Sequence, residues 1–158
     1  MPHIHELYDF TASAFVIHPT ERKICLLMHK KLGKWLQPGG HVELDEDPIQ
    51  ALEHELLEET GLVLADCEVI EPAQQPVVRG QKTLPLPQHI NVHDFNETHK
   101  HIDMQYLLRG NTDALSPAEG ESQEIKWFSI EQIRQLHDDG KIFEGTLDLC
   151  EWIFSNNM

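Results

Sequence analysis

The stretch QPGGHVELDEDPIQALEHELLEETGL, residues 37–62, decides the fold of this chain. Two adjacent glycines precede eight acidic side chains, and four of those acids lie in a segment with the pattern of a single helix. Like charges three and four residues apart on a helix repel each other. The concentration of negative charge on one short element therefore needs a physical explanation, either full exposure to water or a bound cation.

Helix signals mark both ends of the acidic segment. Asp47 is a good N-cap, Pro48 fits the first helical position, and Gln50 stands three residues after the cap, as in a capping box. Gly61 suits the position just past the C-terminal end. These signals predict a helix over residues 48–60. Its buried face is formed by apolar residues at helical spacing: Ile49, Leu52, Leu56 and Leu57.

Three glutamates of this predicted helix share one face. Glu55, Glu58 and Glu59 stand at i, i+3 and i+4, so their carboxylates lie together. Hard divalent cations such as Mg²⁺ bind oxygen ligands and would balance this charge. Gly39 and Gly40 permit tight backbone geometry, so that a main-chain carbonyl could also face the metal. Taken alone, the E-x-x-E-E spacing favours a solvated acidic face, since glutamate is a good helix former.

The rest of the chain predicts short strands and two further helices. Hairpins together with separated helices indicate an α+β fold with a mixed sheet, in one domain over residues 1–158. The segment KLGKW reads as a turn, and residues 71–87 and 111–122 read as loops. The predicted strands are Phe10–His18, Lys23–His29, Cys67–Ile70, His89–Asp94, Lys100–Leu108 and Glu124–Phe128, and the predicted helices are one capped by Ser129 and ending near Asp138 and one over Leu147–Phe154.

Composition excludes several classes of protein. The net charge of −15 argues against general nucleic-acid binding, which needs a basic surface. Three widely spaced cysteines without a C-x-x-C pair exclude a disulfide framework or a cysteine-rich zinc site. No apolar run approaches the roughly 20 residues of a membrane span, and the N-terminus has no signal-peptide pattern. We expect a cytoplasmic protein.

A second polar cluster lies in HINVHDFNETHKHIDMQYLL, residues 89–108. Side chains two apart on a strand share a face, so His99, His101 and Asp103 point one way. His89 and His93 share a face of the preceding strand and can meet them if the strands pair. This cluster predicts a site for substrate phosphate or for a softer metal such as Zn²⁺. The alternative is an exposed polar strand face, with the opposite face in the core: Ile102, Met104 and Tyr106.

The flanks of the acidic helix resemble a known motif. The Nudix hydrolase box consists of Gly, five residues, Glu, seven residues, and then Arg-Glu-aliphatic-any-Glu-Glu-any-Gly-aliphatic. Residues 40–62 match every position except one, where His54 replaces the arginine. The matching residues are Gly40, Glu46, Glu55, Leu56, Glu58, Glu59, Gly61 and Leu62.

This resemblance implies a fold, an activity and a set of roles. The implied fold is an α/β/α sandwich with a mixed β-sheet. The implied activity is Mg²⁺- or Mn²⁺-dependent hydrolysis of a nucleoside diphosphate linked to a further group X, by metal-assisted attack of water. The implied metal set consists of Glu58 and Glu59 as main ligands, Glu55 as a ligand or as the base that activates water, a carbonyl of Gly39 or Gly40, Glu46 in support, and an acid from a later loop.

Several assignments stay open in the sequence. For the later acid, Glu121 is included in the predicted ligand set, and Glu119 and Glu124 are alternatives. Substrate binding is assigned to Gly39 and the strand motif: His99, His101 and Asp103. Trp35, Phe95 or Trp127 could stack on a base. The group X, the base and the oligomeric state, with a homodimer as one option, are not defined by the sequence.

The histidine at position 54 leaves three interpretations of activity. Histidine is shorter than arginine, has fewer donors and is only partly charged near neutral pH. In the first interpretation, His54 holds the catalytic glutamate more weakly than arginine would, and activity is reduced or pH-dependent. Alternatively, the domain binds nucleotides without turnover and has a regulatory role. A repositioned site is the remaining interpretation of this position. For the chain as a whole, an unrelated acidic metal-binding or interaction protein is the third hypothesis.

Overall fold

The computed structural model describes residues 7–158, so the expectation about an N-terminal signal lies partly outside the described residues. The strands are β1 (Tyr8–Ile17), β2 (Ile24–His29), β3 (Lys34–Leu36), β4 (Gly39–His41), β5 (Glu68–Val69), β6 (His89–Asn96), β7 (His99–Arg109) and β8 (Ile125–Phe128). The helices are α1 (Pro48–Thr60), α2 (Ile130–Asp138) and α3 (Glu144–Asn156), with one 3₁₀ turn at Leu64–Asp66.

The described strands form one mixed sheet. Its main path runs β3-β2-β1-β7-β5, while β4 pairs with β1, β6 with β7 and β8 with β2. The long central strands β1 and β7 are parallel, with Tyr8 opposite Lys100 and Ile17 opposite Arg109. The other pairs are antiparallel. A mixed sheet is the predicted arrangement, and it is confirmed.

Helices cover both faces of the sheet. Alternate residues of β1 point to opposite faces, so Ala12, Ala14 and Val16 pack with Leu52 and Leu56 of α1. The other face packs against α2 and α3 in a second cluster. That cluster includes Phe15, Ile17, Leu107, Ile133, Cys150 and Ile153. The predicted α/β/α sandwich is therefore confirmed. Within residues 7–158, none of the helices has the length and apolar character to cross a membrane.

Helix α1 begins and ends where the sequence signals predict. The Asp47 carboxylate accepts from the backbone N–H groups of Ile49 and Gln50, each at 2.9 Å, and the Gln50 side chain accepts from the Asp47 N–H at 2.8 Å. Gly61 ends the helix with φ 78° and donates to Leu57 O. A side chain at Gly61 would also come 2.7 Å from Ser116 O. Glycine is therefore required at position 61 both by the left-handed backbone and by the close contact with Ser116.

Four predicted boundaries or elements are wrong. The segment read as a turn ends in the first two residues of β3, and the two glycines lie in β4. Both strands have three residues, and glycine has low strand propensity, so neither produces a sequence signal. Helix α3 begins at Glu144 rather than Leu147, and β6 extends beyond Asp94 through an irregularity in its pairing.

Candidate metal and substrate site

The face of α1 that lies against β4 holds a group of potential metal ligands. His54, Glu55 and Glu58 each present one ligand atom within 4.8 Å of the others. Glu58 is exposed, while His54 and Glu55 are half-buried. His54 and Glu58 are four residues apart, and side chains at this spacing are neighbours on a helix surface. The cluster can offer carboxylate oxygens to a hard cation.

The two glycines of β4 bring the sheet close to these carboxylates. A side chain on Gly40 would lie only 2.3 Å from Glu55 Oε1. Only a glycine leaves that space for the carboxylate. The Gly39 N–H donates to Glu59 Oε1 at 2.8 Å, which anchors the third glutamate to the same strand. The paired glycines therefore position two carboxylates of α1.

Burial makes this site receptive to a cation. Burial raises the pKa of Glu59 to about 8, despite the opposing hydrogen bond from Gly39, and neighbouring carboxylates add to the rise. Burial also raises the pKa of Glu55, against the influence of His54. A charged group in a poorly hydrated site takes up a proton unless a counter-ion is present. A divalent cation can replace that proton.

His54 connects two acids of the site. Its Nδ1 lies 2.9 Å from Glu46 Oε2, and its Nε2 lies 3.2 Å from Glu55 Oε1. Partial burial disfavours the charged imidazole, but Glu46 and Glu55 outweigh it and raise the pKa of His54. Ionised carboxylates only accept hydrogen bonds, so both ring nitrogens donate when the histidine is protonated. His54 thus holds Glu55 as the arginine of the resembled motif is expected to.

The loop at residues 111–122 folds back on the end of α1. Ser116 N–H donates to Thr60 O and Ala118 N–H donates to Glu58 O, each at 2.8 Å. These bonds bring half-buried Glu121 near the cluster, where its charge contributes to the raised pKa of Glu55 and Glu59. The alternative acids at positions 119 and 124 are exposed. Glu121 is therefore the loop acid nearest to these carboxylates in its charge effect, and its role as a ligand stays a prediction.

The motif on β7 forms a polar floor on the other face of the sheet. Asp103 is 5% exposed and accepts from Thr11 Oγ1 at 2.9 Å and from Ser13 Oγ at 3.2 Å. His101 is 8% exposed and lies opposite His93, so the predicted meeting of the two histidine strands is confirmed. The polar floor comprises Asp9, Thr11, Ser13, His41, His101, Asp103 and Gln105.

The expected burial of β7 is partly reversed. His101 and Asp103 are buried, whereas Ile102 and Met104, predicted in the core, are half-buried. Tyr106 is buried, as predicted. Side chains of β1, β4 and β6 surround the polar residues, while Met104 is only partly buried against the cluster that contains Leu52 and Leu56. The alternative of an exposed polar strand face is therefore wrong for His101 and Asp103, but it holds for His89 and His93 on β6, which are exposed.

Sequence reasoning missed five residues of this floor, Asp9, Thr11, Ser13, His41 and Gln105, and two of them are charged or ionisable neighbours of the histidines. Asp9 accepts from His99 Nε2 in a close hydrogen bond, and His41 Nε2 lies 3.9 Å from Asp9 Oδ2. Asp9, Thr11 and Ser13 are spaced two apart on β1 and therefore share a face of the strand. This spacing is visible in the sequence and could have identified Asp9. His41 gives no signal because β4 itself is not recognisable.

The aromatic candidates for base stacking have different environments. Trp35 is buried against Phe128, with ring centroids 4.9 Å apart, so it belongs to the core. Trp127 is half-buried and its Nε1–H donates to Asp113 O. Phe95 is 61% exposed and stacks on a histidine of the floor. Of these three, Phe95 presents the most free ring surface.

A cavity of about 290 Å³ opens beside the polar floor. Its walls come from both the sheet and α3, and they combine apolar side chains with a polar pair. His89 Nδ1 and Gln105 Oε1 lie 2.8 Å apart there. Trp152, which sequence reasoning missed, lines the same cavity and is 46% exposed. Gln105, which lines this cavity, lies two residues from Asp103 on β7.

Comparison with known proteins gives one family. The NUDIX domain model matches residues 8–147. A probable DHNTP pyrophosphohydrolase of Lactococcus lactis is 31% identical over 134 residues, which is 78% of this chain and 65% of that protein. The m7GpppN-mRNA hydrolase NUDT17 of Xenopus laevis is 30% identical over 78% of this chain and 42% of its own length. The chain thus spans less than two thirds of these curated relatives.

Solved structures agree in fold. A NUDIX family hydrolase from Clostridium perfringens has a TM-score of 0.76 and 30% identity, covering 93% of this chain and 96% of its own. An Ap4A hydrolase from C. elegans has a TM-score of 0.69 at 17% identity, with 90% and 93% coverage. The second likeness concerns the fold alone.

Proposed function

The chain belongs to the NUDIX hydrolase family, and on that basis we propose that it hydrolyses the pyrophosphate linkage of a nucleoside diphosphate joined to a further group, with Mg²⁺ or Mn²⁺ as cofactor. The observation that carries the proposal is the convergence of three α1 glutamates against a paired-glycine strand. Both glycines are required by close contacts of the strand, one with Glu55 and one with Ser13. An acidic face exposed to water would need neither.

The donor set fits a hard divalent cation. The residues proposed to hold it offer oxygen atoms, and burial leaves Glu59 short of solvation. Glu58 and Glu59 are the proposed main ligands, with Glu46, Glu121 and the Gly40 carbonyl in support. When bound, the cation would neutralise diphosphate charge and make phosphorus more electrophilic.

The remaining chemistry belongs to the side chains around Glu55. We propose that Glu55 binds the cation or accepts a proton from the attacking water, as a positioned general base. His54 holds one carboxylate oxygen of Glu55 and fixes its direction. Glu46 holds the other side of the imidazole, so the three groups act as one unit.

The polar floor is the proposed substrate-binding surface. Gly39 connects it to the carboxylates, because its N–H meets Glu59 while its Cα lies against Ser13. Asp103 is already bonded to two hydroxyl groups, so it supports the floor rather than meeting substrate directly. His99 and His101 remain proposed substrate-side residues. The adjacent 290 Å³ cavity is large enough for a base or a small group X.

The proposal also includes the binding partner and the cellular compartment. The partner is a small nucleotide, without general nucleic-acid binding, and a homodimer stays a prediction. The proposed compartment is the cytoplasm, where the free thiol of Cys67 would stay reduced.

A substrate panel tests the proposed activity. The purified protein is incubated with Mg²⁺, and separately with Mn²⁺, together with nucleotide sugars, ADP-ribose, CDP-alcohols and nucleoside triphosphates. Compounds suggested by the relatives are added: dihydroneopterin triphosphate, Ap4A and capped RNA. Metal-dependent cleavage of one class, resolved by chromatography, supports the proposal. Nucleotide binding without cleavage would favour the regulatory alternative, for which the histidine at position 54 is the specific observation.

Replacing His54 by arginine should keep or raise the rate of hydrolysis. Arginine is always charged and can meet two carboxylates with its fork of donors, so it should hold Glu46 and Glu55 at any working pH. His54→Leu, which removes both hydrogen bonds, should lower kcat by about tenfold to 100-fold. The measurement is kcat as a function of pH for the three proteins. A sharp loss in the arginine variant, with an unchanged melting temperature, would show that the histidine has a different role.

Magnesium affinity should increase with pH up to about 8. Below its pKa of about 8, Glu59 holds a proton that must leave when a cation binds. If one proton is released, affinity should gain about tenfold per pH unit in that window. Calorimetric titration in buffers of different ionisation enthalpy measures both the affinity and the released proton. An affinity independent of pH would contradict this account.

The metal-free protein should become less stable over the same range. The pKa of Glu59 rises from 4.5 to about 8 on folding, so its contribution is present below 4.5 and is lost as the pH passes about 8. Glu59→Gln should remove this fall, because glutamine stays neutral. Thermal melts of both proteins with chelator present are the measurement, and parallel curves would refute the assignment.

A further inference from the structure

Three strands bring a second set of metal-binding side chains together, away from α1. Asp9 comes from β1, His41 from β4 and His101 from β7, and Asp9 lies directly opposite His101 in the parallel pair. Their ligand atoms all lie within 4.8 Å of one another. The separation between His41 Nε2 and Asp9 Oδ2 is 3.9 Å. No residue of this set belongs to the acidic helix.

The buried histidine of this set lacks a hydrogen-bond partner. His101 is 8% exposed, and within residues 7–158 its Nε2 is buried without a donor or acceptor. Phe95 stacks on its ring at 4.9 Å with an interplanar angle of 22°, and the His41 ring lies perpendicular at 4.9 Å. A buried polar atom without a partner is costly and requires an explanation. A metal ion would supply the missing bond.

The charges around the set suit a cation. Burial lowers the pKa of His101, and His41 and His93 lower it further, so the imidazole is neutral and its lone pair is available. Asp9 supplies the negative charge. His99 donates to Asp9 and fixes the direction of the carboxylate, as partners of metal-binding carboxylates do. His93 and His99 are therefore neighbours of the set rather than members of it.

We propose that Asp9, His41 and His101 form a site for a zinc-class transition-metal ion, separate from the cation site of the hydrolase. Two imidazoles and one carboxylate are a donor set that Zn²⁺ accepts, with one position left for water or a substrate oxygen. Tetrahedral bonds of about 2.0–2.1 Å place ligand atoms roughly 3.4 Å apart, so the 3.9 Å separation needs only small movements. Mg²⁺ prefers an all-oxygen set.

The two sites lie on opposite faces of β4. The position that a side chain of Gly40 would take faces Glu55, and His41, the next residue, faces the polar floor because strand side chains alternate. The proposal does not rest on the hydrolase activity. It favours metal binding for His41 and His101, and it stays compatible with a substrate-side place for His101 because one position of the ion is left for water or a substrate oxygen.

Metal titration in excess Mg²⁺ tests the proposal. Mg²⁺ saturates the carboxylates of α1, and Zn²⁺ is then counted by equilibrium dialysis against the full chain, with Co²⁺ used as a probe whose visible absorption reports nitrogen ligands. One bound equivalent should persist in the wild type and in Glu58→Gln. His41→Asn and His101→Asn should each lose affinity by more than the roughly 10- to 100-fold typical of a supporting residue.

A distant histidine provides the matched control. His137→Asn changes a half-buried histidine at the end of α2 and should bind like the wild type. His41 is exposed, so His41→Asn should fold even if the variant at the buried position does not, and circular dichroism checks both. Full displacement of Zn²⁺ by Mg²⁺, or equal affinity in the wild type and His41→Asn, would overturn the proposal. Absence of hydrolysis would leave this result unchanged.

Discussion

Glu58→Gln should lower kcat by about 10³-fold while the protein stays folded. Glutamine has nearly the same shape, but it cannot supply the charge that holds a divalent cation. Glu58 is exposed and lies in the cluster with His54 and Glu55, so its neutralisation removes charge repulsion and should not destabilise α1. The measurement is kcat on the substrate that the panel identifies, together with Mg²⁺ affinity and a thermal melt.

The same helix contains a matched control. Glu53 is exposed on α1 and lies outside the carboxylate cluster. Glu53→Gln makes the same chemical change and should leave kcat and Mg²⁺ affinity at wild-type values. Equal losses in both variants would mean that overall negative charge, rather than this cluster, supports activity. Full activity in Glu58→Gln would exclude Glu58 from the metal site.

Gly40→Ala should impair hydrolysis by about 100-fold with little change in stability. The new methyl carbon would lie 2.3 Å from Glu55 Oε1 and 3.0 Å from Oε2, so the carboxylate must move. That carboxylate is the free end of a flexible side chain, and the fold can accommodate its displacement. A reacting group misplaced by about 1 Å can cost 100-fold in rate. Kinetics and a thermal melt together measure the two effects.

Two other glycine substitutions show whether this effect is specific. Gly145 has open space around it and a helical backbone, so Gly145→Ala should stabilise the protein by about 0.4–1 kcal/mol and leave the rate unchanged. A side chain at Gly39 would meet the backbone oxygen of Ala12 at 2.5 Å, so Gly39→Ala should destabilise the fold itself. A large fall in melting temperature for Gly40→Ala would show that Gly40, like Gly39, is required by the fold itself rather than by the position of Glu55.

The two predictions separate charge from geometry at one site. The change at Glu58 removes a ligand charge and leaves every backbone position intact. The change at Gly40 keeps all charges and moves one carboxylate. If both variants lose Mg²⁺ affinity as well as rate, the carboxylates act together on the cation. If Gly40→Ala loses rate but keeps affinity, Glu55 acts on water instead.

Local sequence was sufficient for α1 because its signals depend on near neighbours. The cap, the first-position proline and the glycine at the end act within a few residues of the chain, and the structure confirms each of them. The i, i+3, i+4 spacing of the glutamates is likewise a property of one helix. The order of elements also indicated a mixed sheet, because apolar alternation marks the long strands, and the family resemblance implied the helices on both faces.

The polar floor could not be derived in the same way. Asp9 and His101 are neighbours only because β1 and β7 run parallel, across 92 residues of chain. β4 has three residues and two glycines, so its pairing with β1, and with it the place of His41, carries no local signal. The burial of Asp103 depends on hydroxyl groups from another strand.

The sequence by itself determined the family pattern, the acidic helix and its shared carboxylate face, because these depend on spacing along one continuous segment. Tertiary structure decided which glycine faces which carboxylate, which loop acid approaches the cluster, and which histidines meet an aspartate. Those contacts join residues distant in the chain, and strand pairing, burial and close packing select them. None of these three effects leaves a local pattern in the sequence.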